Sequence, residues 1–146
     1  GRSFAVMVAD LDHFKRINDL YGHASGDAVL VEAARRLREN LRGVDLVARI
    51  GGEEFLIVMP ATPLSEARAA ARRLCRKIGG LGFKVPGSSD PITVTVSIGV
   101  TIGGLQGKRM IESDKNANEL LDAADKALYE AKIQGRNQIN LARPAA

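Results

Sequence analysis

Two strand-like runs, residues 46–50 and 55–59, flank the segment Gly51-Gly52-Glu53-Glu54. Their β-branched and aromatic content is that of β-strands. A glycine pair between such runs marks a hairpin, because glycine supplies the positive φ that tight reversals require. The chain is thereby bound to a sheet in which these two segments are antiparallel neighbours. A turn ordinarily recruits Asn, Asp or Ser and has no need of two glutamates at the start of the return strand. Glu53 and Glu54 concentrate negative charge where backbone can approach a ligand closely, which suits a metal-bound phosphate substrate.

The remaining elements follow from periodicity. Residues 4–11 form a near-continuous apolar run with acids, Asp10 and Asp12, at its end, the pattern of a buried strand. A short helix is predicted over 14–20, closing at Tyr21-Gly22. A second opens around Ser25-Gly26-Asp27 and places Leu30, Ala33, Ala34, Leu37 and Leu41 on one face. Thr62-Pro63 reads as a capping hydroxyl ahead of a proline at the first helical position, and that helix runs to Ile78 before Gly79-Gly80 ends it. Residues 81–85 are a weak strand, 86–91 a turn-rich loop, and 92–102 a strong strand with alternating Thr and Ser. A polar loop over 103–114, a helix over 116–134 and a last short strand over 138–141 complete the chain. The order β-α-α-β-β-α-β-β-α-β predicts an α/β sandwich whose central mixed, largely antiparallel sheet is flanked by helices.

With 146 residues the chain makes a single domain, 1–146, large enough for a hydrophobic core without disulfides. Its one cysteine, Cys75, excludes an internal disulfide framework and a Cys-based zinc site. Because it falls on the stripe of Ala67, Ala70, Ala71, Leu74 and Ile78, it reads as a buried structural thiol. No apolar stretch is long enough to span a membrane, and the N-terminus has no signal-peptide pattern. The net charge of +4 comes mainly from helical runs, Arg35, Arg36, Arg38 and then Arg68, Arg72, Arg73, Arg76, Lys77. These read as solvated faces. Without tryptophan or interleaved aromatics they lack the stacking platform of a single-strand binder, so no nucleic-acid partner is expected.

Asp10 and Glu53 would share one point on the sheet edge if their strands are neighbours. Two close carboxylates repel unless one is protonated or a hard cation lies between them. Asn18 and Asp27 have the groups to read a purine edge, an amide donating to a carbonyl and a carboxylate accepting from ring N–H and exocyclic amine. For an isolated Asn or Asp, capping or turn duty is the commoner role. The backbone amides of residues 12–15, at a strand-to-helix transition, are placed to cradle phosphates. His13 reads as a surface residue, and His23 as either a ligand contact or a structural hydrogen-bonder between two glycine-marked turns.

Taken together these segments resemble the GGDEF family of bacterial diguanylate cyclases in its Gly-Gly-Glu-Glu-Phe form. The resemblance rests on Asp10-x-Asp12-x-Phe14-Lys15-x-Ile17-Asn18-Asp19, on Gly22-His23-x-x-Gly26-Asp27 and on residues 51–55. It rests also on Val94-Thr95-Val96-Ser97-Ile98-Gly99-Val100 and Ala124-Asp125-x-Ala127-Leu128-Tyr129-x-Ala131-Lys132-x-x-Gly135-Arg136-Asn137. Five motifs agreeing in order and spacing are specific where a lone Gly-Gly-Glu-Glu is weak.

The resemblance implies a nucleotidyl-cyclase or polymerase-palm-like fold and condensation of two GTP into cyclic di-guanylate (c-di-GMP) with release of two pyrophosphates. By it Asp10, the Leu11 carbonyl and Glu53 hold two Mg²⁺, or Mn²⁺ in their place, with Glu54 a lesser metal contact. Glu53 also helps deprotonate the attacking 3′-hydroxyl. Phe14, Lys15, Asn18, His23, Asp27, Lys132 and Arg136 fall at substrate-binding positions. Lys132 and Arg136, four apart near a helix end, are expected to share one face. Each protomer holds one GTP, and a homodimer is required because each 3′-hydroxyl attacks the α-phosphate of the opposite nucleotide. Arg42-x-x-Asp45 falls at the family's product-inhibition site, with Arg73 a weaker candidate for the arginine that site borrows from another protomer.

The family usually carries a helix with an Asp-x-Leu-Thr-Gly-Leu-x-Asn-Arg signature before the first strand, whereas this sequence opens almost at the strand, with Gly1-Arg2-Ser3-Phe4. A fragment of a larger cytoplasmic or membrane-attached signalling protein with an upstream sensory or dimerising domain is therefore expected. The rival reading is a non-catalytic module sensing GTP or c-di-GMP through Arg42 and Asp45. Retention of Asp10, Glu53 and Glu54 favours the enzyme, since a pure receptor has no use for the metal acids. A different nucleotidyl cyclase or palm relative is disfavoured by the Gly-Gly-Glu-Glu-Phe hairpin.

Overall fold

The computed structural model describes residues 3–104 and 113–143. The elements run β1 (Ser3–Leu11), α1 (Phe14–Tyr21), α2 (His23–Glu39), β2 (Leu46–Arg49), β3 (Glu54–Met59), α3 (Leu64–Gly79), β4 (Val96–Gly104), α4 (Ser113–Ile133) and β5 (Ile139–Leu141). The strands form one mixed sheet in the order β2-β3-β1-β4-β5, antiparallel throughout except for the parallel β4–β5 pair. The expected α/β sandwich is thus present, with the hairpin of β2 and β3 at one edge. No described helix is long and apolar enough to cross a membrane.

Alternation along β1 divides the domain into two layers. Ala5, Met7, Ala9 and Leu11 face the larger core, with Ile17 from α1, Val29, Ala33 and Leu37 from α2, and Ala67, Ala70, Ala71, Leu74 and Ile78 from α3. Val6 and Val8 point the other way, against Ala124 and Leu128 of α4. Gly99 lets α4 lie directly on the sheet: a Cβ there would stand 2.1 Å from the carbonyl oxygen of Ala124 and 2.3 Å from the nitrogen of Leu128. Since Gly99 pairs with Val8, this contact sets the height of α4 over β1 as well as β4.

Several sequence expectations are corrected. Residues 81–85 make no strand; Phe83 forms only an isolated bridge with Ile92. The strand predicted over 92–102 is β4, which starts at Val96 because its partner β1 ends at Leu11, and extends to Gly104 opposite Ser3. α2 begins at His23, two residues early, immediately after Gly22 at φ 91°. Thr62 does not cap α3. Pro63 is the N-cap, its carbonyl accepting from Ala67 N–H, while the Thr62 hydroxyl donates to Pro60 O at 2.9 Å. Of the polar loop predicted over 103–114, residues 105–112 lie outside the described residues, and α4 begins at Ser113.

Arg36 is not on a solvated face either. It is 6% exposed, with its guanidinium 3.9 Å from the Phe83 ring centroid. It donates to the carbonyls of Lys77, Ile78, Leu81 and Gly82, at 3.3, 3.0, 2.7 and 2.7 Å. A cation there satisfies carbonyls that α3 leaves unpaired as it ends. Glu32 completes the arrangement by accepting from Arg36 Nε at 2.7 Å. Its carboxyl is held down to about 2, first by Arg35 and then by Arg36.

Candidate active site

The register places Asp10 between Glu54 of β3 and Ser97 of β4, so the end of β1 is flanked on both sides. Asp10 shares the face of Val6 and Val8, and so does Glu54, two residues before Leu56. From α4 above, Lys132 reaches down to Asp10, Nζ to Oδ2 at 2.9 Å. Asp10 is only 5% exposed, and its other oxygen, Oδ1, is buried without a hydrogen-bond partner among the described residues. Burial raises the Glu54 carboxyl, the charges of Asp10 and Asp125 raise it further, and Lys132 opposes them. Asp125 is itself pushed up, first by burial and then by Asp122. The site therefore holds more negative charge than its one ammonium neutralises.

That imbalance is a fit test for a hard cation. Among the described residues no three His, Cys, Asp or Glu side chains converge on one point as a ready-made cage. Mg²⁺ does not need one: it is commonly held by one or two carboxylates with the remaining positions taken by water and substrate phosphates. An orphaned carboxylate oxygen beside a second, proton-seeking carboxylate suits that mode. Glu53 is half-buried in the turn and touches the site through its backbone, its carbonyl accepting from Leu11 N–H at 3.2 Å. The hairpin closes one residue later, with Ile50 N–H on Glu54 O at 2.9 Å.

Asp12, on the same face as Asp10, is a fastener rather than a free acid. Its carboxylate accepts from Thr95 Oγ1 and Ser97 Oγ at 2.7 Å each and from Asn137 N–H at 3.0 Å. Its own N–H is bonded to Thr95 O at 2.9 Å, so the phosphate cradle expected over 12–15 cannot include that amide. The first helical bond of α1 runs from Ile17 N–H to His13 O, leaving the N–H groups of Phe14, Lys15 and Arg16 without intrahelical partners. Lys15 is exposed beside them.

Lys132 and Arg136 do not share a helix face. α4 ends at Ile133, and Arg136 lies beyond it in a turn where Gly135, Arg136 and Asn137 all have positive φ, 125°, 63° and 50°. Arg136 N–H on Ala131 O closes that turn at 3.0 Å. Asn137 is the residue that sequence reasoning missed: through Asp12 it ties the Arg136 turn to the end of β1. Its place after Gly135-Arg136, in a motif already singled out, was the available signal.

Asn18 lies against Gly26, the residue before Asp27. The Asn18 amide occupies the space a side chain at residue 26 would need, with Oδ1 only 1.8 Å from the ideal Cβ position of Gly26. Phe14 packs beside them, half-buried, while His23 and Asp27 are exposed on the first turns of α2. Ser25 is turned inward and accepts from Gly87 N–H at 2.8 Å, fastening the loop after α3 beneath this corner.

Arg42 and Asp45 form a built pair away from Asp10. Asp45 is 3% exposed, and Arg42 Nη2 reaches its Oδ1 at 2.9 Å, Pro60 O at 2.9 Å and Thr62 Oγ1 at 2.7 Å. Asp45 also accepts from the Arg42 backbone N–H at 2.7 Å. Asp45 orients Arg42, whose side chain is about half exposed. Arg73 donates to Asn40 O at 2.9 Å, beyond the end of α2, so its guanidinium is engaged within the chain.

Residues 1–138 match the family described as "Diguanylate cyclase, GGDEF domain". The chain belongs to the GGDEF family. Among similar proteins, the response regulator PleD of Caulobacter vibrioides is 40% identical over 139 residues, covering 95% of this chain and 29% of that protein. Diguanylate cyclase A of Treponema denticola is 39% identical over 141 residues, covering 97% of this chain and 36% of that protein. The GGDEF domain thus spans well under half of the length of these relatives. Among solved structures, the GGDEF domain of PA1120 from Pseudomonas aeruginosa superposes with a TM-score of 0.84 at 36% identity, covering 99% of this chain and 84% of that one. The active GGEEF domain of a diguanylate cyclase from Vibrio cholerae gives 0.82 at 28% identity, with 99% and 85% covered. The GGDEF domain of DgcB from Caulobacter crescentus, solved with c-di-GMP, gives 0.85 at 27% identity, with 97% and 79% covered.

Proposed function

We propose that this GGDEF domain is a diguanylate cyclase domain, joining two GTP molecules into c-di-GMP with release of two pyrophosphates. The observation that carries the reading is the pair of carboxylates at the sheet end, Asp10 and Glu54, with Lys132 on one oxygen of Asp10 and the other oxygen without a partner among the described residues. Asp10, the Leu11 carbonyl and Glu53, assisted by Glu54, would hold two divalent cations, Mg²⁺ or Mn²⁺. When bound, such ions neutralise the phosphate and leaving group and lower the pKa of the attacking 3′-hydroxyl.

The chain's own residues supply the rest. Asn18 and Asp27 orient guanine beside Phe14 and His23, and Lys15, Lys132 and Arg136 draw in the triphosphate. Glu53 accepts the proton of the 3′-hydroxyl. That hydroxyl attacks the α-phosphate of the GTP on a second copy, with pyrophosphate leaving in line. A homodimer is therefore needed, because a ribose cannot reach its own α-phosphate in that line. Product inhibition is assigned to Arg42, held in position by Asp45, with Arg73 able to contribute only after releasing Asn40 O.

Incubation of the full-length protein with GTP and Mg²⁺, with products resolved by chromatography, tests the activity. A folded, dimeric sample that yields no c-di-GMP overturns it. Full turnover by Glu53→Gln overturns the metal and base assignment, and unchanged product inhibition in Arg42→Ala overturns the inhibitory site.

A further inference from the structure

We propose that the groove between the C-terminal half of α3 and the turn leading into β5 is a second anion site, suited to a diphosphate group. The cavity has a volume of about 350 Å³ and is lined by Arg72, Cys75, Arg76, Asn137, Gln138 and Ile139. Arg72 and Arg76 stand one helical turn apart and are both exposed, and neither guanidinium makes a hydrogen bond or ion pair to a described residue. Their neighbour Arg73, by contrast, is bonded to Asn40 O. No carboxylate lines the groove. The nearby acid, Asp12, lies buried with both oxygens already accepting from Thr95, Ser97 and Asn137.

Guanidinium forks bind phosphate oxygens in pairs. Residues one turn apart on a helix have Cβ atoms about 5–6 Å from each other, so two such forks can each take one of two linked phosphates. The amides of Asn137 and Gln138 offer further polar contacts on the facing wall, and Cys75 and Ile139 close it with apolar surface. Gln138 Nε2 already donates to Arg136 O at 3.0 Å. Asn137, on the groove wall, also donates its N–H to Asp12, two residues beyond Asp10, so the groove is joined to the end of β1 through one residue. A diphosphate held by Arg72 and Arg76 fixes the wall of Asn137 and Gln138, the two residues that follow Arg136. The ligand is either free pyrophosphate or the diphosphate of a nucleotide, and the two share this chemistry.

Titration of ¹⁵N-labelled protein with pyrophosphate in the absence of divalent metal, followed by NMR, separates this site from the one at Asp10. Saturable shifts are expected for Asn137 and Gln138 and for the side-chain Nε–H of Arg72 and Arg76. The double variant Arg72→Ala/Arg76→Ala should lose at least about tenfold in affinity at those resonances, the effect of removing one charge-assisted hydrogen bond or more. Shifts at Phe14 and Lys15 should stay as in the parent. Arg72→Gln/Arg76→Gln serves the same purpose if the alanine pair does not fold. GDP binding more tightly than pyrophosphate, with added shifts at Cys75 and Ile139, assigns the site to a nucleotide, and equal binding assigns it to free pyrophosphate. Groove shifts that fail to saturate, that persist in the double variant, or that inorganic phosphate reproduces with equal affinity overturn the proposal. None of these readouts uses cyclase activity, so failure here leaves the catalytic reading untouched, and failure there leaves this one.

Discussion

Gly99→Ala is the substitution whose outcome the fold determines most sharply. Replacing a strand glycine by alanine ordinarily gains about 0.5–1 kcal/mol from reduced unfolded-state freedom. Here the new methyl would stand 2.1 Å from Ala124 O, 2.3 Å from Leu128 N and 2.9 Å from Leu128 Cα. All three are helix backbone and cannot rotate away. Relief requires α4 to retreat by more than an ångström, which loosens Ala124 and Leu128 from Val6 and Val8 and lifts Lys132 from Asp10. Overpacking of this kind costs about 1–3 kcal/mol, and backbone against backbone belongs at the upper end. At roughly 2–4 °C per kcal/mol for a chain of this size, Tm should fall by about 6–12 °C. Thermal unfolding followed by circular dichroism measures it, with Gly43→Ala as the control because nothing lies within 4 Å of its added methyl. A Gly99→Ala protein melting within about 2 °C of the parent, or above it, refutes the claim that Gly99 sets the helix height.

Three further outcomes are expected. The Glu54 carboxyl binds its proton more tightly folded than unfolded, so in metal-free protein this group lowers stability as pH rises above the ordinary carboxylate value. Glu54→Gln should therefore melt a few degrees above the parent at pH 7, with the gap closing below about pH 4 in a pH series of melts; a gap that widens toward acid contradicts this. Arg36→Met strands four carbonyls and should cost about 3 kcal/mol by urea denaturation, whereas a loss below about 1 kcal/mol would make the network dispensable. Burial, then the charge of Asp12, pushes the Cys75 thiol up to about 12. Cys75 is half-buried rather than the buried thiol the sequence suggested; iodoacetamide at pH 8 should label it more slowly in native protein than in urea, and equal rates would contradict the raised thiol.

The parts of the fold legible in the sequence are those written in local periodicity. The β2–β3 hairpin is marked by its two strand-like runs, although β2 at the edge buries none of its residues, and the apolar run of β1 and the stripes of α2, α3 and α4 each announce their own burial. What was illegible depends on partners far away in the chain. Phe83 and its neighbours have strand-like side chains, but the carbonyls of Leu81 and Gly82 belong to Arg36, so only the bridge to Ile92 forms. Arg36 looks like any solvated arginine until α3 ends beside it. The candidate site shows the same division. Motif spacing singled out Asp10, Asn18 and Asp27 as candidates, while the role of Asp12 became visible only when Thr95, Ser97 and Asn137 arrived from the start of β4 and the turn before β5. The sequence reading set Glu53 beside Asp10, but the register pairs Asp10 with Glu54 and leaves Glu53 in the turn, because the outcome depends on the residue at which the turn hands over to the ladder.

That handover has a consequence for how such hairpins can vary. Glu54 faces Lys132 and α4, while Phe55, the next residue, is 1% exposed in the opposite layer. A single residue added to or removed from β3 would exchange their destinations, burying a carboxylate among Ile17, Val29 and Leu37 and setting an aromatic ring beside Asp10. Any length change has to be absorbed within Gly51-Gly52-Glu53, ahead of the bond from Ile50 N–H to Glu54 O. Neither Gly51 nor Gly52 takes the positive φ expected of a tight reversal, so the pair acts as a ruler: its length, rather than its conformational freedom, decides which side of the sheet receives the chemistry.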